Sequence, residues 1–294
     1  MSKRAVPVIR FADFSDVWEQ HKFSEIFNIL QNCTLSRAEL SYEIGDALNI
    51  HYGDVLIKYG EVINADTAVL PRIADPKIEA KYRSSELQDG DIIIADTAED
   101  ETVGKCAEMR NLHGKVAISG LHTIPSRPVE KFAAGYLGYF MNAPAYHDQL
   151  LPLMQGTKVM SVSKSVLQDT IISFPSCYDE QRQIGQYFMA LDNLITLHQH
   201  KIEKVQQIRQ MLLKQLFAGL EQNCPEIRFK GNLTEWHRMS LRDIVTPYTD
   251  YLPTPTDGYT RLGIRSYMKG TFYDYVAPSQ KLGEKRLQRV KRDN

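Results

Sequence analysis

Three side chains in the first third of the chain are of the types that a metal-dependent nuclease uses. Asp66 lies ahead of an E-x-K pattern formed by Glu79 and Lys81, and carboxylates that hold a metal ion can generate a nucleophile from water. E-x-K is nevertheless a common tripeptide, and no strand pattern flanks it here, so a polar loop accounts for the same residues. We keep the metal-dependent nuclease as the less favoured hypothesis.

Other catalytic and metal-binding patterns are missing from the sequence. It contains no G-x-x-x-x-G-K-[ST] phosphate loop and no G-x-G-x-x-G dinucleotide motif. Its four cysteines, Cys33, Cys106, Cys177 and Cys224, are far apart and form no C-x-x-C pair, which argues against a zinc site and a disulfide framework. The sequence therefore predicts free thiols, no bound metal and no catalytic role.

The composition of the chain is that of an ordinary globular protein. Its 294 residues are 43% hydrophobic, which is enough for a full core and for one to three domains. No apolar run reaches the roughly 18 to 20 residues of a membrane span, and the N-terminal MSKRAVPVIRF lacks the apolar centre of a signal peptide. We therefore expect a cytoplasmic protein without a membrane segment.

The charge is close to neutral only for the chain as a whole. Residues 1–175 carry 17 Lys and Arg against 23 Asp and Glu, whereas residues 176–294 carry 18 against 13. The first part is therefore acidic and the second part basic. Any nucleic-acid surface in the first part has to be a local basic face rather than a basic domain.

The chain contains a large internal repeat. PVIRFADFSDVW at residues 7–18 matches PEIRFKGNLTEW at residues 225–236 without a gap, at a constant offset of 218 residues. A unit of this size is a whole domain with its connector, far longer than the repeat of a solenoid. The second copy occupies only residues 225–294, so we expect one complete unit followed by the start of another.

Short apolar runs bounded by Gly, Asp or Pro predict strands. In residues 1–175 they are DVLIKYG (54–60), GDIIIADT (90–97), KVAISGLHTI (115–124) and DTIISFP (169–175), and in the second copy YTRLGIRSYM (259–268) and TFYDYVAP (271–278). FAAGYLGYFMNAPAY (132–146) places aromatic residues on one helical face and predicts a short helix that ends at Pro144. Together these patterns predict an α+β fold.

One long helix is predicted from about Asp179 to Ala218, because no proline interrupts this stretch and Gly219 stops it. Its apolar residues recur at alternating spacings of three and four, and a sustained mean of 3.5 is typical of a coiled-coil seam. The seam residues are Ile184, Phe188, Leu191, Ile195, Ile202, Val205 and Leu212, with His198 as a polar position. A rod of roughly 60 Å results, and it needs a partner helix to bury its seam.

The long helix resembles that of the specificity subunits of type I restriction-modification systems. The family pattern is a proline, then E-Q, I-G, F, L-D, I, K and finally L-L-x-x-x-F. It corresponds to Pro175, Glu180, Gln181, Ile184, Gly185, Phe188, Leu191, Asp192, Ile195, Lys201, Leu212, Leu213 and Phe217. The unit-opening IRF with its later Trp, and the segments LQDGDIIIADTAEDETVGK, GLHTIPSRP and QGTKVMSVSKSVLQDTIISFP, are also similar to this family.

The resemblance implies three regions and no catalysis. Residues 1–175 would be a mixed α/β DNA target recognition domain. Residues 176–220 would be a spacer helix that forms a coiled coil and docks methyltransferase subunits. Residues 221–294 would be the start of a second recognition domain, which is truncated. Each recognition domain of the family reads one half of a bipartite DNA target.

The resemblance also implies the partners and cofactors. The partners are double-stranded DNA, methyltransferase subunits and restriction subunits, and a second specificity-type chain is a further candidate. This chain would hold no cofactor of its own. S-adenosylmethionine belongs to the methyltransferase subunit, and ATP and magnesium belong to the restriction subunit.

Positively charged side chains interleaved with tyrosines are the candidate DNA contacts of the first region, because Arg and Lys bind base edges and phosphates. They are Lys58, Tyr59, Arg72, Lys77, Lys81, Tyr82, Arg83, Lys105, Arg110, Lys115 and Lys158. Taken alone, each of these residues is better explained as a solvated surface charge. The acidic balance of this region also leaves open an adaptor that binds only proteins through its long helix.

Overall fold

The computed structural model describes residues 7–156, 158–231, 234–248, 250–252, 257–267, 269–278 and 287–288. The chain divides into two compact units, Met1–Lys204 and Val205–Asn294. Among the described residues, no helix has both the length and the apolar character that a membrane span requires. The architecture is mixed α and β with one long helix, as the sequence predicts.

The first unit contains thirteen short strands and seven helices in its described part. The strands are β1 (Glu19–Lys22), β2 (Phe27–Ile29), β3 (Leu40–Ser41), β4 (Ala47–Ile50), β5 (Val62–Asn64), β6 (Arg72–Ile73), β7 (Ile92–Ala95), β8 (Thr97–Ala98), β9 (Cys106–Arg110), β10 (Ala117–Ser119), β11 (Thr123–Pro128), β12 (Met160–Ser161) and β13 (Ile171–Phe174). The helices are α1 (Phe23–Ile26), α2 (Tyr52–Ile57), α3 (Pro76–Tyr82), α4 (Tyr136–Asn142), α5 (Pro144–His147), α6 (Lys164–Leu167) and α7 (Tyr178–Gln215), the last of which continues past Lys204 into the second unit.

A five-stranded sheet in the order β2-β11-β7-β9-β5 carries the main core. Its central strand β7 is buried on both faces. Ile92 and Ile94 belong to one apolar cluster, and Ile93 and Ala95 belong to another. This division follows from the period of two in a strand, which sends successive side chains to opposite faces. The strand predicted for GDIIIADT is confirmed.

A smaller four-stranded sheet has the order β10-β4-β6-β3, with β3 at one edge. Helix α3 follows β6 directly and shares an apolar cluster with this sheet. The cluster contains Cys33, Leu35, Ala47, Ile73, Tyr82 and Ile118. We call these four strands and α3 the small layer.

The segment DVLIKYG is a helix, so the strand predicted there is wrong. His51 accepts a hydrogen bond from the backbone N–H of Gly53 and caps α2. Val55 is fully buried, whereas Ile57 is 84% exposed. Side chains two residues apart share one face of a strand but lie on different sides of a helix. Polar capping and one-sided burial therefore decide the helix over the apolar run.

The run KVAISGLHTI is interrupted and forms two strands, β10 and β11. His122 lies in the connecting turn with a φ of 54°, in the left-handed region that strands do not use. The predicted helix in FAAGYLGYFMNAPAY is present as α4, and Pro144 begins a separate short helix, α5. The strand predicted for DTIISFP is confirmed as β13, which pairs antiparallel with β1.

Buried Glu180 joins the start of α7 to the N-terminal segment of the chain. Its carboxylate accepts two hydrogen bonds of 2.7 Å from the Arg10 guanidinium and one of 3.2 Å from Trp18 Nε1. Gln181 is buried beside it, accepts from the backbone N–H of Ala133 and donates to the carbonyl of Pro175. Both residues of the E-Q motif thus hold the helix against its own domain.

Further along, α7 stays in contact with the loop before α4 and with α4 itself. At Gly185 the helix approaches so closely that a Cβ would collide with the carbonyl oxygen of Ala134. The Tyr139 hydroxyl donates a 2.5 Å hydrogen bond to Asp192, and the Tyr139 ring stacks on Phe188. Burial and the Asp192 charge raise the pKa of Tyr139, so it remains a donor at neutral pH.

The second unit contains α8 (Leu241–Ile244) and the strands β14 (Tyr251–Leu252), β15 (Tyr259–Ile264), β16 (Thr271–Val276) and β17 (Leu287–Gln288) in its described part. β15 and β16 form an antiparallel hairpin with Tyr259 opposite Val276, which confirms both predicted strands. Trp236, the repeat partner of Trp18, contacts the Phe217 ring edge to face at 6.1 Å.

We expect Gly185→Ala to destabilise the first unit by about 1 to 3 kcal/mol, because its methyl group meets backbone rather than a flexible side chain. Gly53→Ala on α2 is the matched control, since nothing lies closer than 3.5 Å to a Cβ there. The control should be neutral or gain up to about 1 kcal/mol from the helix preference of Ala. Urea unfolding of both variants checks this, and equal effects would contradict the tight contact at Gly185.

Candidate nucleic-acid interface

Four of the candidate DNA contacts lie on the small layer as exposed or half-exposed cations. They are Arg72 on β6, Lys77 and Lys81 on α3, and Arg83 at the end of α3. Arg72 donates to the carbonyl of Gly45 at 3.1 Å. Arg83 forms ion pairs with Glu79 at 3.9 Å and with Glu86 at 3.3 Å. The structure therefore brings these four cations together on one layer.

Helix α3 turns its two lysines to solvent because its other face is in the core. Asp75 caps the helix by accepting from the backbone N–H of Lys77 at 2.8 Å. Ile78 and Tyr82 pack into the apolar cluster of the small layer, so Lys77 and Lys81, four residues apart, share the outer face. No carboxylate among the described residues pairs with either exposed lysine, and the Lys81 ammonium lies over the Tyr82 ring at 5.1 Å from its centroid.

The two tyrosines of the candidate set do not lie on that face. Tyr59 belongs to the core between α2 and the five-stranded sheet, and Tyr82 belongs to the core of the small layer. Burial raises the pKa of Tyr59. Tyr59 and Tyr82 are 9% and 4% exposed, so neither ring is open to stacking by a base, and the Lys81 ammonium lies over the Tyr82 ring at 5.1 Å from its centroid.

Three other candidates are engaged inside the chain. Lys105 donates from Nζ to the carbonyls of Leu56 and Tyr59 at the end of α2, at 3.0 and 3.1 Å. Lys115 donates to the carbonyl of Ala65 at 3.0 Å and to Asp66 at 2.9 Å. These contacts fasten loops to the five-stranded sheet.

Arg110 pairs with buried Glu108, whose other hydrogen bonds come from the backbone N–H groups of Gly135 and Gly138. This pair fixes the start of α4. Lys158, one of the two remaining candidates, lies two residues before β12, is exposed, and pairs with no residue of the described chain.

Arg37 and Tyr42 were missed by sequence reasoning and lie beside Lys58. Arg37 binds both oxygens of buried Asp54, at 2.6 and 2.5 Å, and Lys58 Nζ lies 3.0 Å from the same carboxylate. The Tyr42 hydroxyl accepts from Lys58 at 2.9 Å and from Arg37 at 3.3 Å. No local spacing signals this group, because Arg37 and Asp54 are 17 residues apart.

The carboxylates of the nuclease hypothesis do not form a site. Asp66 follows β5 and is bound by Lys115 and His113. Glu79 lies on α3 next to Arg83, and the described contacts join neither Glu79 nor Lys81 to Asp66. Within the described residues, no group of three or more His, Cys, Asp or Glu side chains is arranged to hold a metal ion.

Much of the remaining negative charge lines one groove of about 810 Å³. Its carboxylates are Glu61, Glu99, Asp100, Glu101 and Asp148. This groove lies beside the loop after β8 and the end of α5, on elements other than the small layer. Five of the 23 carboxylates of residues 1–175 thus line a groove built from elements other than α3.

Residues 15–207 match the family model of the type I restriction modification DNA specificity domain. The match covers the whole domain from just before β1, together with most of α7. The chain belongs to this family. Among the motif residues of α7 that carry the resemblance, the E-Q pair, the I-G pair and Asp192 seat this helix on the specificity domain.

Solved structures of specificity subunits are similar to the chain over part of its length. The S subunit of a type I system from M. genitalium has 15% identity and a TM-score of 0.44, with 68% of this chain and 46% of that chain covered. A structure of a type I system solved for its assembly and conformational transition has 17% identity and a TM-score of 0.45, with 68% of this chain and 45% of that chain covered. The HsdS subunit from Thermoanaerobacter tengcongensis has 16% identity and a TM-score of 0.39, with 61% of this chain and 38% of that chain covered.

The chain therefore spans less than half the length of these solved structures. A comparison with curated proteins finds no significant match.

The seam predicted for the long helix is divided between two uses in this specificity-family chain. Ile184 packs against the core of its own domain, and Phe188 stacks on Tyr139 while remaining 43% exposed. The place of these two residues in an intermolecular seam stays a prediction. Leu191, Ile195, Ile202 and Val205 are 36 to 57% exposed, and Leu212 is half-buried. An apolar stripe thus remains open from Leu191 onward.

Asp54 is expected to stabilise the domain in a pH-dependent way. Burial by itself raises its pKa, but the hydrogen bonds and charges of Arg37 and Lys58 outweigh burial and lower the pKa below the ordinary value of an aspartate. Asp54→Asn should therefore cost about 1 to 3 kcal/mol at neutral pH. The difference should be constant above the unfolded pKa and shrink as pH falls through the lowered folded pKa.

Urea unfolding of the wild type and Asp54→Asn between pH 7 and pH 3 measures that difference. A gap that widens on acidification would contradict the ion-paired state of Asp54.

Proposed function

We propose that this chain is the DNA sequence-recognition subunit of a type I restriction-modification complex and that residues 7–175 read one half of a bipartite DNA target. The observation that carries the proposal is the family match over residues 15–207, which includes both the domain and the helix seated on it. The subunit is proposed to bind and position DNA, while the chemistry is left to its partners.

The small layer is the proposed DNA-facing surface. Lys77 and Lys81 point outward without carboxylate partners in the described chain, and Arg72 and Arg83 lie on the same layer. Phosphates are attracted by such groups, and a side chain that reaches a base edge discriminates between bases by about 1 to 3 kcal/mol per bidentate contact. The acidic groove lies on other elements, so the domain can approach DNA with its basic layer despite its net negative charge.

The open stripe of α7 is the proposed docking surface for methyltransferase subunits or for a second specificity-type chain. S-adenosylmethionine would be bound by the methyltransferase subunit, and ATP and magnesium by the restriction subunit. Apolar side chains that are half exposed along more than two turns support a helix-on-helix contact, because such a stripe gains free energy only when another surface covers it.

DNA binding tests the recognition role. The chain, assembled with its methyltransferase subunits, should shift a target duplex in a gel, and the logarithm of the binding constant should fall linearly with the logarithm of the salt concentration. If Lys77 and Lys81 each meet a phosphate, the double variant Lys77→Gln/Lys81→Gln should make this slope less negative by about 2.

Lys164→Gln on α6 is the control for a single exposed lysine away from the small layer. It should leave the slope unchanged. An assembled complex that binds no DNA at any salt concentration would instead support the protein-only adaptor.

Assembly tests the open stripe. Leu191→Asp/Ile195→Asp should abolish co-purification with the methyltransferase subunit, because each buried apolar side chain of this size contributes about 1.5 to 3 kcal/mol. His200→Asp/Gln207→Asp places two charges on the other side of α7 and serves as the matched control. Unchanged co-purification of the seam variant, or equal loss in both variants, would contradict the stripe as the docking surface.

A further inference from the structure

A buried carboxylate fixes two cations and a phenol at the edge of the small layer. The Asp54 side chain is 1% exposed, whereas the side chains of Arg37 and Lys58 are 42% and 51% exposed. Asp54 therefore lies beneath the cations and holds them from the protein side. Tyr42 follows edge strand β3 directly, and its hydroxyl accepts hydrogen bonds from both cationic groups.

The group carries more positive than negative charge. One carboxylate faces two cations, and the bidentate Arg37 already satisfies both oxygens of Asp54. Burial and then the charge of Arg37 lower the pKa of nearby His51, which leaves that imidazole neutral at neutral pH. Glu39 is turned to the Ser36 backbone and hydroxyl, and exposed Glu43 follows Tyr42 in the chain. The group of Arg37, Lys58 and Asp54 itself carries a net charge of about +1.

Hydrogen-bond donors remain unused on the solvent side. Among the described residues Arg37 uses its two terminal nitrogens for Asp54 and Tyr42, and Nε has no partner. Lys58 uses two of its three N–H groups. The ligand that fits a guanidinium and an ammonium side by side, both already held in place, is a phosphate group.

We propose that Arg37, Lys58 and Tyr42 form a binding site for a backbone phosphate of double-stranded DNA, with Asp54 as the positioning residue. This inference rests on the proposed DNA-recognition function and identifies one contact within it. Ordering two long side chains costs conformational entropy on binding, and here Asp54 has already fixed them. Such a contact sets the register of the domain on the duplex without reading its sequence.

The site lies at the edge of the same small layer as the cations of the proposed DNA-facing surface. Ser41 of β3 pairs with Arg72 of β6, and the Arg72 guanidinium donates to Gly45 in the loop that contains Tyr42. Helix α3, with Lys77 and Lys81, begins three residues after β6. A phosphate held at Arg37 and Lys58 would therefore anchor the duplex at the edge of the layer that carries α3.

The test compares Lys58→Gln with Lys22→Gln in the assembled complex. Lys22 is equally exposed at 53% and pairs with a carboxylate at 2.8 Å, but that carboxylate, Asp169, is itself exposed and lies outside the small layer. Lys58→Gln should make the salt slope of DNA binding less negative by about 0.9, should weaken target and non-target duplexes by the same factor, and should leave target preference unchanged. Lys22→Gln should match the wild type.

Two further variants separate a phosphate contact from a purely structural role. Lys58→Arg keeps the charge and should restore the wild-type slope, whereas a structural ion pair alone would leave all three slopes equal. Tyr42→Phe removes the hydroxyl that holds Arg37 and Lys58 in place but removes no charge. The two side chains then have to be ordered on binding, so DNA affinity should fall while the salt slope stays unchanged. If Lys58→Gln fails to fold, wild-type affinity of Tyr42→Phe would overturn the proposal.

The outcomes also separate this proposal from the function on which it rests. A wild-type complex that binds DNA with a normal salt dependence, and a folded Lys58→Gln with the same slope, would overturn the phosphate site alone. A wild-type complex without DNA binding would overturn the recognition function itself.

Discussion

The structure of the first unit depends on the buried carboxylate of Glu180. It accepts hydrogen bonds from Arg10 and Trp18 and so holds the N-terminal segment against the first turn of the long helix. Arg10 and Glu180 are 170 positions apart in the chain. The pair of hydrogen bonds is bidentate, which fixes direction as well as distance. Gly185 and Asp192 then hold the next three turns of the helix against the domain. The direction in which α7 leaves the domain is therefore set by the domain itself.

Buried carboxylates that each hold an arginine recur through this unit. The pairs are Glu180 with Arg10, Asp54 with Arg37, Asp91 with Arg127, and Glu108 with Arg110. Every one of these carboxylates has almost no exposed surface. A charge removed from water must be paired and hydrogen-bonded to be tolerated, which explains the arginines beside them. Net charge counted from composition therefore misrepresents the surface, because several acidic side chains never reach it.

The same 3.5-residue spacing serves two different contacts along α7. Its first turns pack on the domain through Ile184, Gly185 and Phe188, and the later positions from Leu191 remain open. A heptad pattern reports that one face of a helix is apolar, and it contains no information on which surface covers that face. The first turns of α7 are therefore packed against its own domain, and the exposed apolar residues from Leu191 onward form a continuous surface that another helix can contact.

The sequence by itself determined the family, the α+β class, the long helix, the central strand of GDIIIADT and the hairpin of the second unit. Each of these rests on local signals: a motif, a period of 3.5, or a run of isoleucines between turn residues. Tertiary structure decided the rest. DVLIKYG is a helix because His51 caps it and Asp54 meets an arginine 17 residues away.

Burial of Tyr59 and Tyr82, and the use of Lys105 to bind backbone carbonyls, likewise depend on partners that are remote in the sequence. Local sequence does not distinguish a cation that binds its own chain from one that is free for DNA. The difference lies in which distant carboxylate or carbonyl the fold brings beside each cation.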